Sequence, residues 1–533
     1  MKKYLLLAII LLAIILRFWQ LGKNPPSLYW DEVSLGYNAY SILTTAHDEH
    51  GKFLPLINFA AFGDYKPPGY IYAAVAPIAL FDLSEFAVRF PSAFFGVLTV
   101  VLTYFLAKKL FENENVALLA SLFLAISPWH LQFSRAAFEG NMALFFSTLG
   151  IYLFLKFATD KPYYIFLSAA SFLIALYTFT GQRLFVPFIL LILLIQFRKK
   201  VLANIKLVVV TAVASSIIFW PLFKFATFTI EGRLRFNEVT IFKDLAPIDD
   251  SIRFRQTDNF SPLSNIIHNR RFFFAHQYLI HYFDSFSPSF LFSNGDVNPR
   301  LSIQTVGELY YYDLILVVAG IYFLFYTKSK YRFLIIGWLL VSPLGPATAR
   351  ETPHALRMIH ILPTYQLIAA FGLYNLYGLF KFKKLFVTFS FLILTFSFLY
   401  YLHMYYVHYP RQYASQWQYG YRQAVKITKN HYNLVDNIIV TSQLGRPYVY
   451  FLFYMKYDPI KYWNNAKIIK DQFFFFDVAS FDKFHFSNAP LDEKIEGKKL
   501  YIVAPGQLPK NAQDIEEVRD PNGQTVLEIG TVN

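Results

Sequence analysis

Along the 533 residues, long apolar stretches alternate with short charged loops. A bilayer span needs about 20 mostly apolar residues. Eleven stretches come near that length: 4–21, 86–107, 116–133, 141–159, 162–180, 184–197, 204–224, 309–327, 332–349, 358–379 and 385–404. The 184–197 stretch is short, and Pro343 and Pro346 interrupt 332–349. The pattern predicts a polytopic α-helical membrane protein with about 11 transmembrane helices. Three parts fall outside the spans: 22–85, 225–308 and a tail from 411 to 533. Within the first, 69–81 is apolar but too short to cross and is expected at the interface as a re-entrant or amphipathic helix. The tail alternates strand-like runs (437–441, 500–503, 525–529) with helical stretches, and Asp520-Pro521-Asn522-Gly523 is a turn signal between two strands. About 120 residues suffice for a small α/β domain. The organisation is therefore read as 1–410, transmembrane, with external loops 22–85 and 225–308, and 411–533, a C-terminal extracytoplasmic domain.

Loop charge gives the orientation. Lys2-Lys3, Lys108-Lys109, Lys156 with Lys161, Arg198-Lys199-Lys200, Lys328 and Lys330 with Arg332, and Lys381 with Lys383-Lys384 fall in every second loop. The intervening loops hold Asp31, Glu32, Asp48, Glu49, Asp64 and Glu139. The positive-inside rule then puts the N-terminus in the cytoplasm and the tail outside. Lys2-Lys3 and the apolar run after them resemble a signal peptide, but Arg17-Phe18-Trp19 follows instead of a small-residue cleavage site, so the first span is read as uncleaved.

Composition narrows the classes. Aromatic residues make up 20% of the chain, charged residues 16% against roughly 25% in soluble domains, and mean hydropathy is +0.36. A soluble enzyme could not hide so much apolar surface, and a disordered chain would not carry it. The net charge of +14 is spread in short clusters at helix ends, so nucleic acid is not an expected partner. With no cysteine there are no disulfides, thiol nucleophiles or Cys-based zinc sites.

Charged residues at the external membrane surface are the candidates for chemistry. The adjacent carboxylates of Tyr29-Trp30-Asp31-Glu32 suit a general base or ion ligand, or else a helix start with Asp31 as N-cap and Glu32 in the first turn. The rigid turn Gly63-Asp64-Tyr65-Lys66-Pro67-Pro68-Gly69 presents a lysine suited to a phosphate, or one that snorkels to the interface. Ser134-Arg135 to Glu139-Gly140-Asn141 puts an acid at the start of the fourth span, or pairs it with Arg135. The loop Arg350-Glu351-Thr352-Pro353-His354-Ala355-Leu356-Arg357, followed by His360, carries two arginines where the charge rule expects few, which favours an anionic ligand over Arg350–Glu351 pairing. His354 and His360 lack a metal-site spacing. Arg233, Arg235, Arg270 and Arg271 sit in the second external loop. No phosphate-binding glycine loop, nucleotide fingerprint or serine nucleophile motif is present.

These segments, with Val88-Arg89-Phe90-Pro91-Ser92 entering span two and Arg357 to Pro363, resemble in order and spacing the GT-C integral membrane glycosyltransferases. Within that group the chain is most similar to glycosyltransferase family 39, the protein O-mannosyltransferases and aminoarabinose transferases, over roughly residues 1–410. The resemblance implies inverting transfer of a single sugar from a polyprenyl-phosphate donor to a hydroxyl on a protein, lipid or glycan, at the outer face of the plasma membrane. It implies Asp31 as the base that activates the acceptor and Lys66 as a contact of the lipid phosphate. Glu139 matches an acid that in relatives is often Asp, so its arm is one methylene longer. Arg357 and His360 fall where relatives place donor-phosphate or polar contacts. Asp31, Glu139 and Glu32 are thus the candidate catalytic residues, and Lys66, Arg350, Arg357 and His360 the candidate phosphate ligands. No Trp-Trp-Asp motif of the oligosaccharyltransferases is present, which argues for a single sugar. A phosphate leaves without a general acid once its charge is neutralised, so no cofactor is implied, and a divalent metal is possible but not implied.

A transporter or flippase for an anionic lipid or solute is the alternative. It calls for charges inside spans and inverted repeats, neither of which stands out. A membrane scaffold whose tail binds a partner is the third reading. The topology is tested by a reporter fused after Asn533, which is expected to be active only outside the cytoplasm; cytoplasmic activity contradicts it.

Overall fold

The computed structural model describes residues 2–470, 476–487 and 495–533, and at Arg235 the backbone alone. The chain forms two compact units: Met1–Arg17, Phe95–Ser134 and Phe138–Tyr401 make one, and Phe18–Phe94, Arg135–Ala137 and Leu402–Asn533 the other.

Each of the eleven expected spans contains a helix, some of them broken or only partial. Among the described residues four helices are long and apolar enough to cross a membrane singly: Glu85–Phe111, Glu139–Thr159, Ile205–Phe228 and the continuous Lys383–Gln412. Two bent pairs, Glu114–Ile126 with Pro128–Ser134 (58°) and Ala355–Ile361 with Thr364–Leu379 (53°), raise the number to six if each counts as one span. The other expected spans rest on shorter helices, including Tyr164–Thr178, Gln182–Gln196 and Tyr311–Tyr326. The 332–349 stretch is a helix only over Arg332–Val341, where the two prolines break it. The second external loop is itself helical over Ile230–Val239, Ala246–Thr257, Pro262–Ile267 and Arg270–Asp284.

Within the larger unit, glycines set one close helix crossing. A Cβ at Gly372 would fall on the carbonyl oxygen of Leu316, and one at Gly320 on that of Ile368. Without a hydrophobic driving force between helices in lipid, close backbone approach through small residues supplies the packing.

The second unit combines the first external loop with the C-terminal segment. Its parts include helices Trp30–Thr45 and Gly69–Phe81, and a hairpin of β1 (Phe59–Ala61) and β2 (Asp64–Lys66). The remaining strands are β3 (Asn437–Thr441), β4 (Lys467–Lys470), β5 (Phe476–Phe481), β6 (Phe484–Ser487), β7 (Lys499–Val503), β8 (Gln513–Arg519) and β9 (Thr525–Val532). They form one mixed sheet in the order β4-β5-β6-β3-β7-β9-β8, with β3 parallel to both its neighbours. Helices Tyr421–His431 and Tyr448–Met455 pack with it, giving the expected α/β architecture. The predicted turn joins β8 to β9. Asp520 Oδ1 accepts from the N–H groups of Asn522 and Gln524, and Gly523 takes φ +83°.

Gly372→Val is expected to destabilise the protein by about 1–3 kcal/mol through overpacking against Leu316 and Gly320. Gly378→Ala, on the same helix but with no neighbour within 4 Å, is the neutral control. Equal thermal midpoints for the two purified variants contradict this reading of the crossing.

Candidate active site

Lys66 is presented by the β1–β2 hairpin. Ala61 pairs with Asp64, so Phe62 and Gly63 alone form the loop, with φ +60° and +88°. A two-residue loop with both central residues in the left-handed region matches strand twist, and glycine makes it inexpensive at the second position. The Lys66 ammonium lies 3.0 Å from Asp31 Oδ1 and 3.1 Å from Asp64 Oδ2, all three side chains partly exposed. Asp31 is the second residue of the helix that begins at Trp30; the N-cap is Tyr29, two residues before Asp31, and not Asp31 itself. The structure therefore joins the two residues that the sequence singled out first.

Glu32 has a different task from the catalytic one expected of it. Neighbours on a helix point about 100° apart, and Glu32 turns inward, where it and Arg89 are both fully buried. Its Oε1 accepts from Arg89 Nε at 2.9 Å and from the Ala137 N–H at 2.8 Å; its Oε2 accepts from an Arg89 terminal nitrogen at 3.0 Å and from the Tyr29 N–H at 3.2 Å. The other Arg89 donors go to the carbonyls of Leu21, Pro25 and Ser27. With its lone pairs taken, Glu32 is a structural anion whose cation is Arg89.

The other candidates belong to the larger unit. Glu139 opens its helix and is buried, and the next residue, Gly140, abuts Leu356 and Ile359 of the 355–361 turn. Arg350 is not paired with Glu351; its N–H donates to Val239 O and its Nε to Thr240 O, pinning the second external loop. Arg357 donates to the Glu351 carbonyl at 3.1 Å, and its own N–H is capped by His354 Nδ1. His360, expected at the donor phosphate, is instead packed in the core. Its Nε2 bonds the Ser342 carbonyl at 2.9 Å and its ring stacks on Phe185 at 4.4 Å.

Beneath Arg357 lie two buried carboxylates that sequence reasoning missed. Asp296 accepts from the Ala355 N–H at 2.6 Å, and its own N–H donates to Glu308 Oε1 at 3.1 Å. Burial pushes Asp296 up to about 6, against the pull of the Asn298 and Ala355 N–H groups and the Arg357 charge. Burial likewise holds Glu308 well above the usual carboxylate range, with Asp296 adding to it. The Ala355 carbonyl accepts from Trp129 Nε1, so that peptide is held on both sides. Among the described residues no group of three or more His, Asp or Glu is arranged to hold a metal ion.

An apolar groove of about 720 Å³ runs between helices Tyr164–Thr178, Gln182–Gln196 and Ile205–Phe228. Arg183 and Thr227 line it at helix ends that loop charge places outside, and Ile165, Leu194 and Val208 at the opposite ends. Arg183 was legible by the same signal as Arg350 and Arg357, an arginine in an external loop.

This is the architecture of a helical membrane protein with the fold of the GT-C enzymes. ArnT from Cupriavidus metallidurans in the apo state matches with TM-score 0.57 at 11% identity, covering 98% of this chain and 97% of that one. The same protein bound to undecaprenyl phosphate gives 0.54 at 12% identity, with the same coverage. The oligosaccharyltransferase AglB from Archaeoglobus fulgidus, in complex with an inhibitory peptide and a dolichol-phosphate, gives 0.50 at 15%, covering 85% of this chain and 63% of AglB. At such identities the likeness is one of fold. In sequence, residues 7–230 match the family model of dolichyl-phosphate-mannose-protein mannosyltransferase, less than half of the chain. An uncharacterized protein of Aquifex aeolicus (strain VF5) is 33% identical over 168 residues, 31% of this chain and 32% of that protein. The resemblance read from the motifs thus has independent support in both sequence and fold.

Glu32→Gln is expected to cost about 3–5 kcal/mol of stability, because it leaves the Arg89 charge buried without its partner. Thermal or denaturant unfolding of the purified protein measures this, and wild-type stability contradicts the structural assignment.

Proposed function

We propose that the protein transfers a single sugar from a polyprenyl-phosphate donor to an acceptor hydroxyl at the outer face of the membrane, with inversion. The observation that carries this is the Asp31–Lys66 ion pair at 3.0 Å, just beyond the first span and on the external side by loop charge. The apolar groove with Arg183 at its outer end suits a lipid chain with an anionic head, and the match to a mannosyltransferase family model over 7–230 supports the chemistry.

In this reading Lys66 passes from the carboxylates to the donor phosphate. That exchange leaves Asp31 without its cation and able to accept a proton. Asp31 takes the acceptor proton as the acceptor oxygen bonds to the anomeric carbon. The bond from that carbon to the phosphate oxygen breaks, and the Lys66 ammonium holds the charge of the departing phosphate. One carboxylate acts, so the anomeric configuration inverts. Glu139 is the alternative base.

Turnover of the purified protein with a panel of polyprenyl-phosphate sugars tests the reaction, and no transfer from any of them rejects it. Within it, Asp31→Asn is expected to lose roughly 10²–10⁴ in rate while still binding donor. Lys66→Ala and Arg357→Ala are expected to weaken donor binding instead. Normal turnover by Asp31→Asn moves the base elsewhere, and unchanged donor affinity in both cation variants removes them from the site.

A further inference from the structure

The C-terminal segment meets the surroundings of the Asp31–Lys66 pair at several points, among them Tyr448, edge-on to the Phe62 ring, and the short turn 442–447 at the carboxyl end of β3, the strand with parallel neighbours on both sides. The turn makes two contacts with the first external loop. The Arg446 guanidinium stacks over the Phe62 ring at 4.3 Å, and one of its terminal nitrogens donates to the Phe62 carbonyl at 3.3 Å. Phe62 is the first residue of the hairpin loop that presents Lys66; it is buried and held at φ +60°. One residue earlier, Gly445 lies against the ring of Trp30, the residue before Asp31. A Cβ there would come within 2.8 Å of that ring, and Gly445 holds φ +91°. The Gly445 carbonyl is tied back into the C-terminal segment by the Tyr421 hydroxyl at 3.1 Å.

We infer that the 442–447 turn sets the spacing of Asp31 and Lys66, and that Arg446 is a positioning residue acting through the Phe62 hairpin. This rests on the proposed role of the pair. A phenylalanine in the left-handed region is strained, and a stacked guanidinium that also takes up its carbonyl offsets that strain in one geometry only. An arginine suits the place because its planar fork can stack and donate at once, which a lysine cannot do. The same turn packs against Trp30, so a shift of the C-terminal segment would move both reacting side chains.

The experiment uses the full chain in detergent, with undecaprenyl phosphate as the binding probe. Arg446→Ala is expected to speed hydrogen exchange of the 59–66 hairpin amides and weaken undecaprenyl phosphate binding about tenfold, with little change in the global unfolding midpoint. Arg446→Lys should fall between Ala and wild type, and it serves as the test variant if Arg446→Ala does not fold. In a Lys66→Ala background, Arg446→Ala should add nothing further, because it acts through Lys66. Additive losses would mean that Arg446 meets the phosphate itself, and unchanged hairpin exchange would mean that it holds nothing; either result overturns the inference. If the wild-type protein binds no undecaprenyl phosphate, the functional reading fails, and hairpin exchange alone still decides whether Arg446 positions the hairpin.

Discussion

The Glu32–Arg89 pair is the constraint around which the smaller unit is arranged. Both charges are fully removed from water, a state that is tolerable only when every donor and acceptor is satisfied. Here the guanidinium reaches both carboxylate oxygens and three carbonyls, while the carboxylate also takes the Tyr29 and Ala137 amides. Four chain segments therefore meet at one point: the end of the first span with 21–27, the start of the Trp30 helix, the entry to the second span, and 135–137. Trp417, with the Arg89 guanidinium 5.7 Å from its ring centre, brings in the C-terminal segment as a fifth.

Fixing Glu32 inward fixes Asp31 outward. A turn of about 100° between helix neighbours points the two carboxylates in different directions, and here Glu32 is buried while Asp31 stays partly exposed beside Lys66. The buried pair therefore chooses which acid faces Lys66. Lys66 in turn is delivered by a hairpin whose loop needs two left-handed residues. One of them is Phe62, held by Arg446. A structural anion, a reactive anion and a presented cation thus depend on each other through backbone geometry as well as charge.

Much of this was legible in the sequence. Apolar runs and loop charge located the helices, and alternation with a Asp-Pro-Asn-Gly turn located β3, β7, β9 and the β8–β9 hairpin. Asp31 and Lys66 stood out because charges at a membrane boundary are costly. Other features were not legible, because the sequence shows a residue's type and not its neighbours. Arg89 sat in a quoted motif, yet its pairing with Glu32 joins positions 57 residues apart. His360 was expected at the phosphate because relatives place a polar contact there; only the stacked Phe185 ring and the Ser342 carbonyl reveal a core residue. Asp296 and Glu308 lay in a loop of mixed charge with nothing to mark them as buried. Of strands β4 to β6 only β6 pairs with β3, and the order of these strands in the sheet is set by tertiary contact rather than local pattern.

Arginines on the external side illustrate how placement and task separate. The positive-inside bias marks Arg89, Arg135, Arg183, Arg350 and Arg357 as equally unexpected, so sequence cannot rank them. Their partners do. Arg89 gives its donors to Glu32 and three carbonyls, and Arg135 stacks on Tyr405 and Tyr406 while bonding the Trp19 and Asn24 carbonyls. Both are buried, and both tie loops whose backbone groups would otherwise lack partners at the membrane surface. Arg350 holds the second external loop through Thr240. Arg183 and Arg357 differ, because Arg183 lines a groove and Arg357 lies beside a carboxylate that burial has raised to about 6. An external arginine is thus first a means of satisfying loop carbonyls where water is scarce. It becomes a candidate ligand only where the structure sets it against a space or a second titrating group.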